Sequence, residues 1–466
     1  MSYIGSNPQT QSFIAGTDYF NGDGSTTAFT LSRSVVSTND IQATVNNVVQ
    51  QPNTAYTVSG TTITFTSAPS AGTANIYVRY LSTTTQSITP SQGTVGNNQF
   101  ANNISAIPMT YGTIGAGNAS IMKNRIINGA MVIDQRNAGA SVTPTSTLDG
   151  YPVDRFFVTV SQNSKLTTQQ NAGSVTPPIG FSNYLGVTSS SAYTLGATDY
   201  FAIRQYIEGF NTADLQWGTV NAKTVTLSFQ VYSSLTGTFG GAISNSAFNR
   251  SYPFTYTVSS ANTWTAVSVT IAGDTSGTWV GATNGIGIRV QFGLGVGSTY
   301  SGTAGAWAGS LYISATGATS VVGTSGATFY ITGVQLEVGS SATGFEYVNY
   351  QTSLANCQRY YIKYGGDQVY EHMASGMGIA GTQAQCDTPV PVPMRTTPSS
   401  SISTLALNDG VGSLITITSA NIQTTESSPR RTSITYIVAS GVTTYRPYNV
   451  NTNNSTSGFL ALSAEL

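Results

Sequence analysis

The chain has 466 residues, of which 39% are hydrophobic and only 8% are charged, and its net charge is −1. This length suits two to four domains with buried cores, and so neutral and apolar a chain lacks the composition of a disordered protein. Its charges are scattered, with no basic stripe or polybasic segment, which disfavours nucleic-acid binding and membrane association. A surface made polar by Ser, Thr, Asn and Gly is typical of β structure with tight turns.

Residues 1–81 are predicted to form a small β-domain, with five or six short strands between residues 17 and 81. In "TTITFTSAP", Ile63 and Phe65 alternate with threonines, which predicts one buried and one exposed face. Asn46 and Asn47 lie between β-branched arms, a pattern that favours a two-residue hairpin turn with positive φ at both positions.

Residues 82–123 are rich in Ser, Thr, Gly and Asn and have no strong period. This composition predicts a linker, or an extended and intertwined neck if the chain is an oligomer.

Residues 124–350 are predicted to form a β-sandwich of the jelly-roll type. No segment there has a convincing helical period, and Gly, Ser and Asn fill the gaps between strand candidates. The candidates are "RFFVTV", "DYFAIRQYI", "TVTLSFQVY", "TWTAVSVTI", "GIGIRVQFGLGV", "LYISA" and "ATFYITGVQLEV".

The stretch Ile331–Tyr361 is predicted to end the sandwich and redirect the chain. Val334, Leu336 and Val338 should point inward, whereas Gln335 and Glu337 should point outward. The segment "QTSLANCQRYY" is predicted to be a short helix that packs on the sandwich. Residues 351–466 then form a third β region, with "PVPVPMRTTP" as a rigid edge segment and "SITYIVAS" and "GFLALSAEL" as strands.

No local catalytic motif is present, so we predict neither an enzyme nor a cofactor. Cys357, Cys386 and His372 cannot provide four zinc ligands; three copies of His372 on a trimer axis would be an alternative, less favoured than an isolated histidine. Paired carboxylates are a further alternative to turn residues and solvated strand faces. The densest acidic stretch contains Asp149, Asp154, Asp199, Glu208 and Asp214.

The four tryptophans all fall in the middle region. Sugar binding uses exposed aromatic faces with amides and carboxylates around them, whereas core packing is the more frequent role of any single tryptophan. Trp279, in "DTSGTWVGATNG", has the surroundings of a loop tip. The candidate carbohydrate-binding residues are Trp217, Trp264, Trp279 and Trp307.

The first residues have no basic and no apolar signal region, and no run of about 18 apolar residues predicts a membrane helix. Two cysteines allow at most one disulfide. A chain with an extracellular composition and no export signal would fit release by lysis, inside a virus particle.

Several stretches resemble the fibre and receptor-binding proteins of tailed bacteriophages, including marine phages and cyanophages. "FNGDGSTTAFTLS" with the following strands is similar to their small N-terminal β-domain, and "NRIINGAMVIDQRNAG" to a segment that they contain. Ile331–Tyr361 resembles the junction at which a jelly roll like that of carbohydrate-binding modules ends and a distal domain begins. "LALSAEL" resembles their last strand.

The resemblance implies a structural tail fibre of the virion, and a homotrimer. It would attach to other tail proteins through residues 1–81 and contact host polysaccharide or lipopolysaccharide through its distal domains. The alternatives are a purely structural head, collar or adaptor protein and a tailspike depolymerase. The interdomain joint would contain Phe345, Tyr347, Leu354, Cys357, Tyr360 and Tyr361, with Arg359 extending past the rings.

Overall fold

A computed structural model describes residues 16–81, 122–411 and 414–466. The predicted linker or neck, residues 82–123, therefore lies almost wholly outside the described residues. The chain divides into two compact units, Met1–Pro108 and Met109–Leu466. In the described residues of both units, strands are the main regular secondary structure, which confirms the predicted all-β class.

The first unit contains a six-stranded domain, as predicted. A four-stranded sheet has the order β1-β6-β3-β4, and β2 pairs with β5. Ile63, Phe65 and Ile76 are buried in its core, and the intervening threonines of β5 are exposed. Asn46 and Asn47 form the turn between β3 and β4 with φ values of 50° and 64°. The strands are β1 (Thr17–Gly22), β2 (Ala28–Val35), β3 (Ile41–Val45), β4 (Val48–Val49), β5 (Tyr56–Phe65) and β6 (Gly72–Tyr80).

The second unit begins with a sandwich of two antiparallel sheets. Five strands form one sheet in the order β15-β12-β19-β10-β9, and six form the other in the order β14-β13-β16-β11-β8-β7. The chain crosses repeatedly between the sheets, which is the jelly-roll pattern that the sequence predicted. The strands are β7 (Gly150–Val153), β8 (Phe156–Val160), β9 (Leu166–Gln170), β10 (Leu185–Ser189), β11 (Tyr200–Glu208), β12 (Val225–Ser233), β13 (Gly237–Ser244), β14 (Ser251–Val258), β15 (Thr265–Ile271), β16 (Ile286–Val296), β17 (Ser301–Gly302), β18 (Ser314–Ala315) and β19 (Thr328–Val338).

In both sheets every second side chain points inward, so the inner faces of the two sheets form one shared core. Phe229 of β12 and Phe292 of β16 face each other across the sandwich with their ring centroids 5.0 Å apart. All seven predicted strand segments overlap strands, "LYISA" only in its last two residues, whereas β7, β9, β10, β13, β14 and β17 were not among the predictions. Gly, Ser and Thr make up much of those six strands, so their sequences carry a weak hydrophobic signal.

The inward-facing part of β19 was predicted correctly, but the outward-facing part was not. Val334 and Leu336 are buried in the core, and Val338 packs against it. Gln335 and Glu337 are fully buried instead of exposed, because the chain after β19 folds back over them. Glu337 accepts hydrogen bonds from the Thr343 backbone NH and hydroxyl at 2.8 and 2.6 Å.

A short helix, α1 (Tyr350–Gln358), follows the sandwich, as predicted, and is capped by the Asn349 side chain. A closed six-stranded barrel of order β21-β22-β26-β25-β24-β27 and a three-stranded sheet of order β20-β28-β23 complete the unit. Both predicted strands, "SITYIVAS" and "GFLALSAEL", are present. The strands are β20 (Tyr361–Gly365), β21 (His372–Ala380), β22 (Gln383–Thr388), β23 (Ser399–Ser403), β24 (Ala406–Asn408), β25 (Leu414–Ile422), β26 (Thr432–Val438), β27 (Pro447–Asn451) and β28 (Phe459–Ser463).

The segment "PVPVPMRTTP" runs outside the strands and buries Met394. In the described ranges, no helix is long and apolar enough to span a membrane.

Candidate functional site

Three of the four predicted tryptophans lie together at one end of the sandwich. Trp217, Trp279 and Trp307 pack edge to face, with ring centroids 4.7 to 5.4 Å apart. The Trp217 Nε1–H donates to the carbonyl oxygen of Lys223 at 2.8 Å, and the Trp307 Nε1–H to that of Ala272 at 2.8 Å. Their polar atoms are thus satisfied within the protein. Trp217 is only 7% exposed and belongs to the sandwich core, whereas Trp279 and Trp307 are partly buried against it, so the rings of these two residues provide the exposed aromatic surface.

An open cleft of about 440 Å³ lies beside this cluster. Trp217 and Trp279 line it, and the polar side chains of Gln216, Thr219 and Asn221 stand around it. We call these five residues the tryptophan cleft. Indole faces beside amide and hydroxyl groups can stack on the C–H faces of a sugar and hydrogen-bond to its hydroxyls.

The sequence analysis singled out the aromatic part of this cleft but missed its polar part. Gln216, Thr219 and Asn221 surround Trp217 in "LQWGTVNAK", so proximity along the chain was the available signal. Trp279 was predicted as a candidate, but its position next to Trp217 could not be predicted, because its loop reaches the cleft only through the fold of the sandwich.

Trp264 lies elsewhere, in an aromatic cluster with Tyr184, Tyr232 and Tyr330. Its ring centroid is 5.5 Å from those of Tyr184 and Tyr232, and its Nε1–H donates to the carbonyl oxygen of Thr176. The structure therefore does not bring it to the other three tryptophans. Whether any of the four binds a sugar stays a prediction.

The predicted joint residues separate into two groups. Cys357 and Tyr360 are fully buried between the sandwich and the barrel, and Tyr361 is half-buried beside them. Phe345 and Tyr347 instead form an aromatic cluster with Phe181, with centroids 5.0 to 5.8 Å apart. These three aromatic residues line a second cleft of about 320 Å³. Leu354 is half-buried in α1.

Glu208 is the centre of the first group, which we call the joint. Its carboxylate accepts hydrogen bonds from Arg359 Nε at 2.8 Å and Nη2 at 2.5 Å, and from the Tyr360 hydroxyl at 2.7 Å. Burial acts to raise the pKa of Glu208, but these hydrogen bonds outweigh it and hold the pKa below its ordinary value. The expectation that Arg359 extends past the rings to solvent was wrong, because this carboxylate fixes it.

Other arginines occupy the ring faces. The Arg155 guanidinium lies 3.6 Å from the centroid of Tyr360, and that of Arg136 lies 3.6 Å from Tyr361. Both also pair with the carboxylate of Glu465. The joint thus contains two stacked cations that share the carboxylate of Glu465, and Arg136 pairs in addition with Asp154.

The acidic stretch is less solvated than predicted. Asp154, Asp199 and Glu208 are buried. Asp154 pairs with Arg136, and burial raises its pKa to about 6 against the effect of that arginine. The prediction of turn residues fits Asp154, which lies in the turn between β7 and β8, but none of these three acids is solvated, because they sit in hydrogen-bonded networks.

His372 is exposed at the start of β21, with Nε2 3.0 Å from the carbonyl oxygen of Ala374. Throughout the part of the chain that the structure describes, no three His, Cys, Asp or Glu side chains are grouped to hold a metal ion.

Residues 12–107 match the family model of the phage T7 tail fibre protein, N-terminal domain. This match covers about a fifth of the chain and concerns its N-terminal domain alone. The match confirms the resemblance predicted from "FNGDGSTTAFTLS" to the small N-terminal β-domain of phage tail fibres.

Solved structures resemble the chain at low similarity. A carbohydrate-binding module of family 4 is similar over 46% of this chain and 98% of its own chain, with 16% identity and a TM-score of 0.23. A family 11 module from Clostridium thermocellum, solved with a mixed-linked tetrasaccharide, matches 45% of the fibre and 100% of its own chain, at 10% identity and a TM-score of 0.23.

The active domain of tailspike protein 4 of bacteriophage CBA120 is similar over 40% of the fibre but only 19% of its own chain, with 10% identity and a TM-score of 0.24. At these scores the likenesses carry no argument about ligand or activity. No curated protein matches the sequence.

Proposed function

We propose that the fibre attaches to the phage tail through its N-terminal domain and binds a host-surface glycan through the tryptophan cleft. The observation that supports glycan binding is the open cleft of about 440 Å³ lined by Trp217 and Trp279 and surrounded by Gln216, Thr219 and Asn221. Stacking on an indole face needs no charge, which suits a chain with 8% charged residues.

The test is binding of the intact fibre to an array of bacterial surface polysaccharides, followed by calorimetry with the best ligand. Trp279→Ala should weaken binding by about tenfold or more, since it removes the stacking face. Trp264→Ala is the matched control, because it removes another partly buried tryptophan outside the cleft. Equal affinity of both variants and the wild type would exclude the cleft as the binding site.

The fibre is further proposed to bind its glycan without cleaving it. The alternative is a depolymerase that uses two carboxylates, but Asp154 and Glu208 are held in ion pairs at the joint, away from free solvent. Incubation of the fibre with the polysaccharide that it binds should leave the viscosity of the solution unchanged. A fall in viscosity would establish the depolymerase instead.

A homotrimer, and domain boundaries after residues 81, 123 and 350, belong to the same proposal. The sandwich strands end before residue 350 and the barrel strands begin after it. The joint, with its many hydrogen bonds, would hold these two domains in a fixed relation.

A further inference from the structure

The outward face of the six-stranded sheet carries two arginines without acidic partners. Arg204 of β11 and Arg289 of β16 are 8% and 6% exposed. Neither takes part in an ion pair within residues 16–81, 122–411 and 414–466. In a chain with only 17 basic residues, two buried arginines on neighbouring strands concentrate positive charge on one face.

The strand register places these side chains next to one another. Arg204 lies opposite Gln291 and Tyr206 lies opposite Arg289 in the β11–β16 pair. All four point away from the core, since the residues between them, such as Ile203 and Val290, are buried inside the sandwich. We call Arg204, Arg289, Gln291 and the neighbouring Tyr200 the arginine face.

Several polar atoms of this face lack a hydrogen-bond partner among the described residues. They are Arg204 Nε, Arg289 Nε, Gln291 Oε1 and Ser314 Oγ. Buried polar atoms are normally satisfied, so a cluster of unsatisfied ones indicates groups that a ligand or ordered water completes.

The two arginines differ in what holds them. Arg289 is fixed by the carbonyl oxygens of Asn245 and Ser246, at 2.7 and 2.6 Å, and by the Phe248 ring at 3.5 Å. Arg204 lies 5.5 Å from the Tyr200 ring, and its Nε has no hydrogen-bond partner among the described residues. Arg204 is therefore the arginine whose N–H donors are open to a ligand, and the charge of Arg289 adds to the positive potential at Arg204.

Charged groups of both signs surround Arg204. Burial lowers the pKa of Arg289, and the positive charge of Arg204 lowers it further. Although Asp149 as a residue is exposed, the protein around its carboxyl group raises its pKa by desolvation, and the positive charge of Arg204 acts to lower that pKa. Asp149 is exposed and forms no ion pair in the described ranges, so it offsets the positive charge without neutralising Arg204.

We propose that the arginine face is a second saccharide site, specific for an acidic sugar whose carboxylate, sulfate or phosphate binds Arg204. A planar guanidinium can bind any of these groups through two parallel hydrogen bonds. The half-exposed rings of Tyr200 and Tyr300, with centroids 5.7 Å apart, provide an aromatic surface beside the anion for the sugar ring. This inference rests on the proposed function in that the ligand is a surface glycan, but it uses different residues.

The test is calorimetry of the intact fibre with tetragalacturonate, its neutral methyl ester and a sulfated galactose oligosaccharide. We expect at least one acidic probe to bind, the ester to bind about tenfold more weakly or worse, and added salt to weaken the acidic interaction. The two acidic probes distinguish a carboxylate from a sulfate source. Ester binding as tight as that of tetragalacturonate, together with no binding of the sulfated probe, would overturn the proposal.

Variants locate the interaction. Arg204→Gln should reduce acidic binding about tenfold or more, Arg204→Lys should reduce it less, and Asp149→Asn should strengthen it because a competing anion is lost. Arg430→Gln removes one exposed positive charge elsewhere and should change nothing. Acidic binding that survives Arg204→Gln would also overturn the proposal.

These outcomes separate the two proposals. Acidic binding that is lost in Arg204→Gln and kept in Trp279→Ala supports the arginine face on its own. A glycan bound only through the tryptophan cleft contradicts the arginine face and leaves the proposed function standing, whereas no binding of any glycan contradicts both.

Discussion

Glu208 is an acid whose ionisation is coupled to the contact between sandwich and barrel. Arg359 and Tyr360 both donate to it, and its pKa is held below the ordinary value although burial opposes this. Because this pKa is lower in the folded than in the unfolded state, ionised Glu208 stabilises the folded protein at any pH above the unfolded-state pKa. That contribution to the free energy of unfolding is lost as pH falls through the folded-state pKa. The joint should therefore weaken in acid below about pH 4.

Glu208→Gln should lower the free energy of unfolding at pH 7 by about 1–3 kcal/mol, since a partner of a largely buried ion pair is lost. The measurement is chemical denaturation at several pH values. The difference from wild type should shrink below pH 4, where the native carboxylate becomes protonated. A difference that does not vary with pH would contradict the coupling.

Asp154 should have the opposite dependence on pH. Burial raises its pKa to about 6, so the ionised carboxylate destabilises the folded protein at pH 7. This destabilisation disappears as pH falls from 7 towards 4 and the carboxylate becomes protonated. The wild type should gain stability over that interval relative to Asp154→Asn, by at most roughly 3 kcal/mol. Thermal melting of both proteins at pH 7, 6 and 5 measures this; parallel curves would contradict it.

Tyr360 combines packing and hydrogen bonding at the joint. Its ring is fully buried beneath Arg155, and its hydroxyl donates to Glu208. Tyr360→Ala should lower the free energy of unfolding by about 3–5 kcal/mol, whereas Tyr360→Phe, which keeps the ring, should cost about 1–2 kcal/mol. An unchanged melting curve for Tyr360→Ala would show that the joint does not depend on this residue.

Among the elements, β19 is held by the segment that contains "NRIINGAMVIDQRNAG". The Val334 backbone NH donates to the carbonyl oxygen of Gly129 at 3.0 Å. A Cβ atom added at Gly129 would lie 2.1 Å from the carbonyl oxygen of Val334, so the two backbones could not keep this approach. The resemblance identified this segment, but the reason for its glycine appears only in the folded structure.

Gly129→Ala should therefore destabilise the sandwich by about 1–3 kcal/mol, because backbone must move to admit one methyl group. Gly309→Ala is the control, since nothing lies within 4 Å of its Cβ position. Melting temperatures of the two variants measure the effect. Equal melting temperatures would show that the contact with β19 accommodates the added methyl group without loss of stability.

At the scale of the whole molecule, the fibre is predicted to be a trimer whose assembly is insensitive to salt. With 8% charged residues there is little long-range charge to screen. Light scattering after size exclusion, in low and high salt, should give about three times the 48.6 kDa of one chain. A monomer in both conditions would contradict the trimer and favour a free-standing accessory protein of the tail.

The sequence by itself determined the all-β class, the six strands of the first domain, seven sandwich strands, the short helix and the tail fibre resemblance. Alternation of side chains and turn residues is local, so it can be read from short segments such as "TTITFTSAP". It also selected Trp217, Trp279 and Trp307 as residues of interest, without a basis for excluding Trp264 from the group.

Only the tertiary structure decided what each face touches. Alternation assigned Gln335 and Glu337 correctly to the face opposite the core, but the chain after β19 covers that face. Arg204 and Arg289 became neighbours through the pairing of β11 with β16, which are separated by about 80 residues of sequence. Glu208 and Arg359 meet although they are 151 positions apart in the sequence. Contacts between distant segments depend on sheet order and on domain docking, and no local pattern records either.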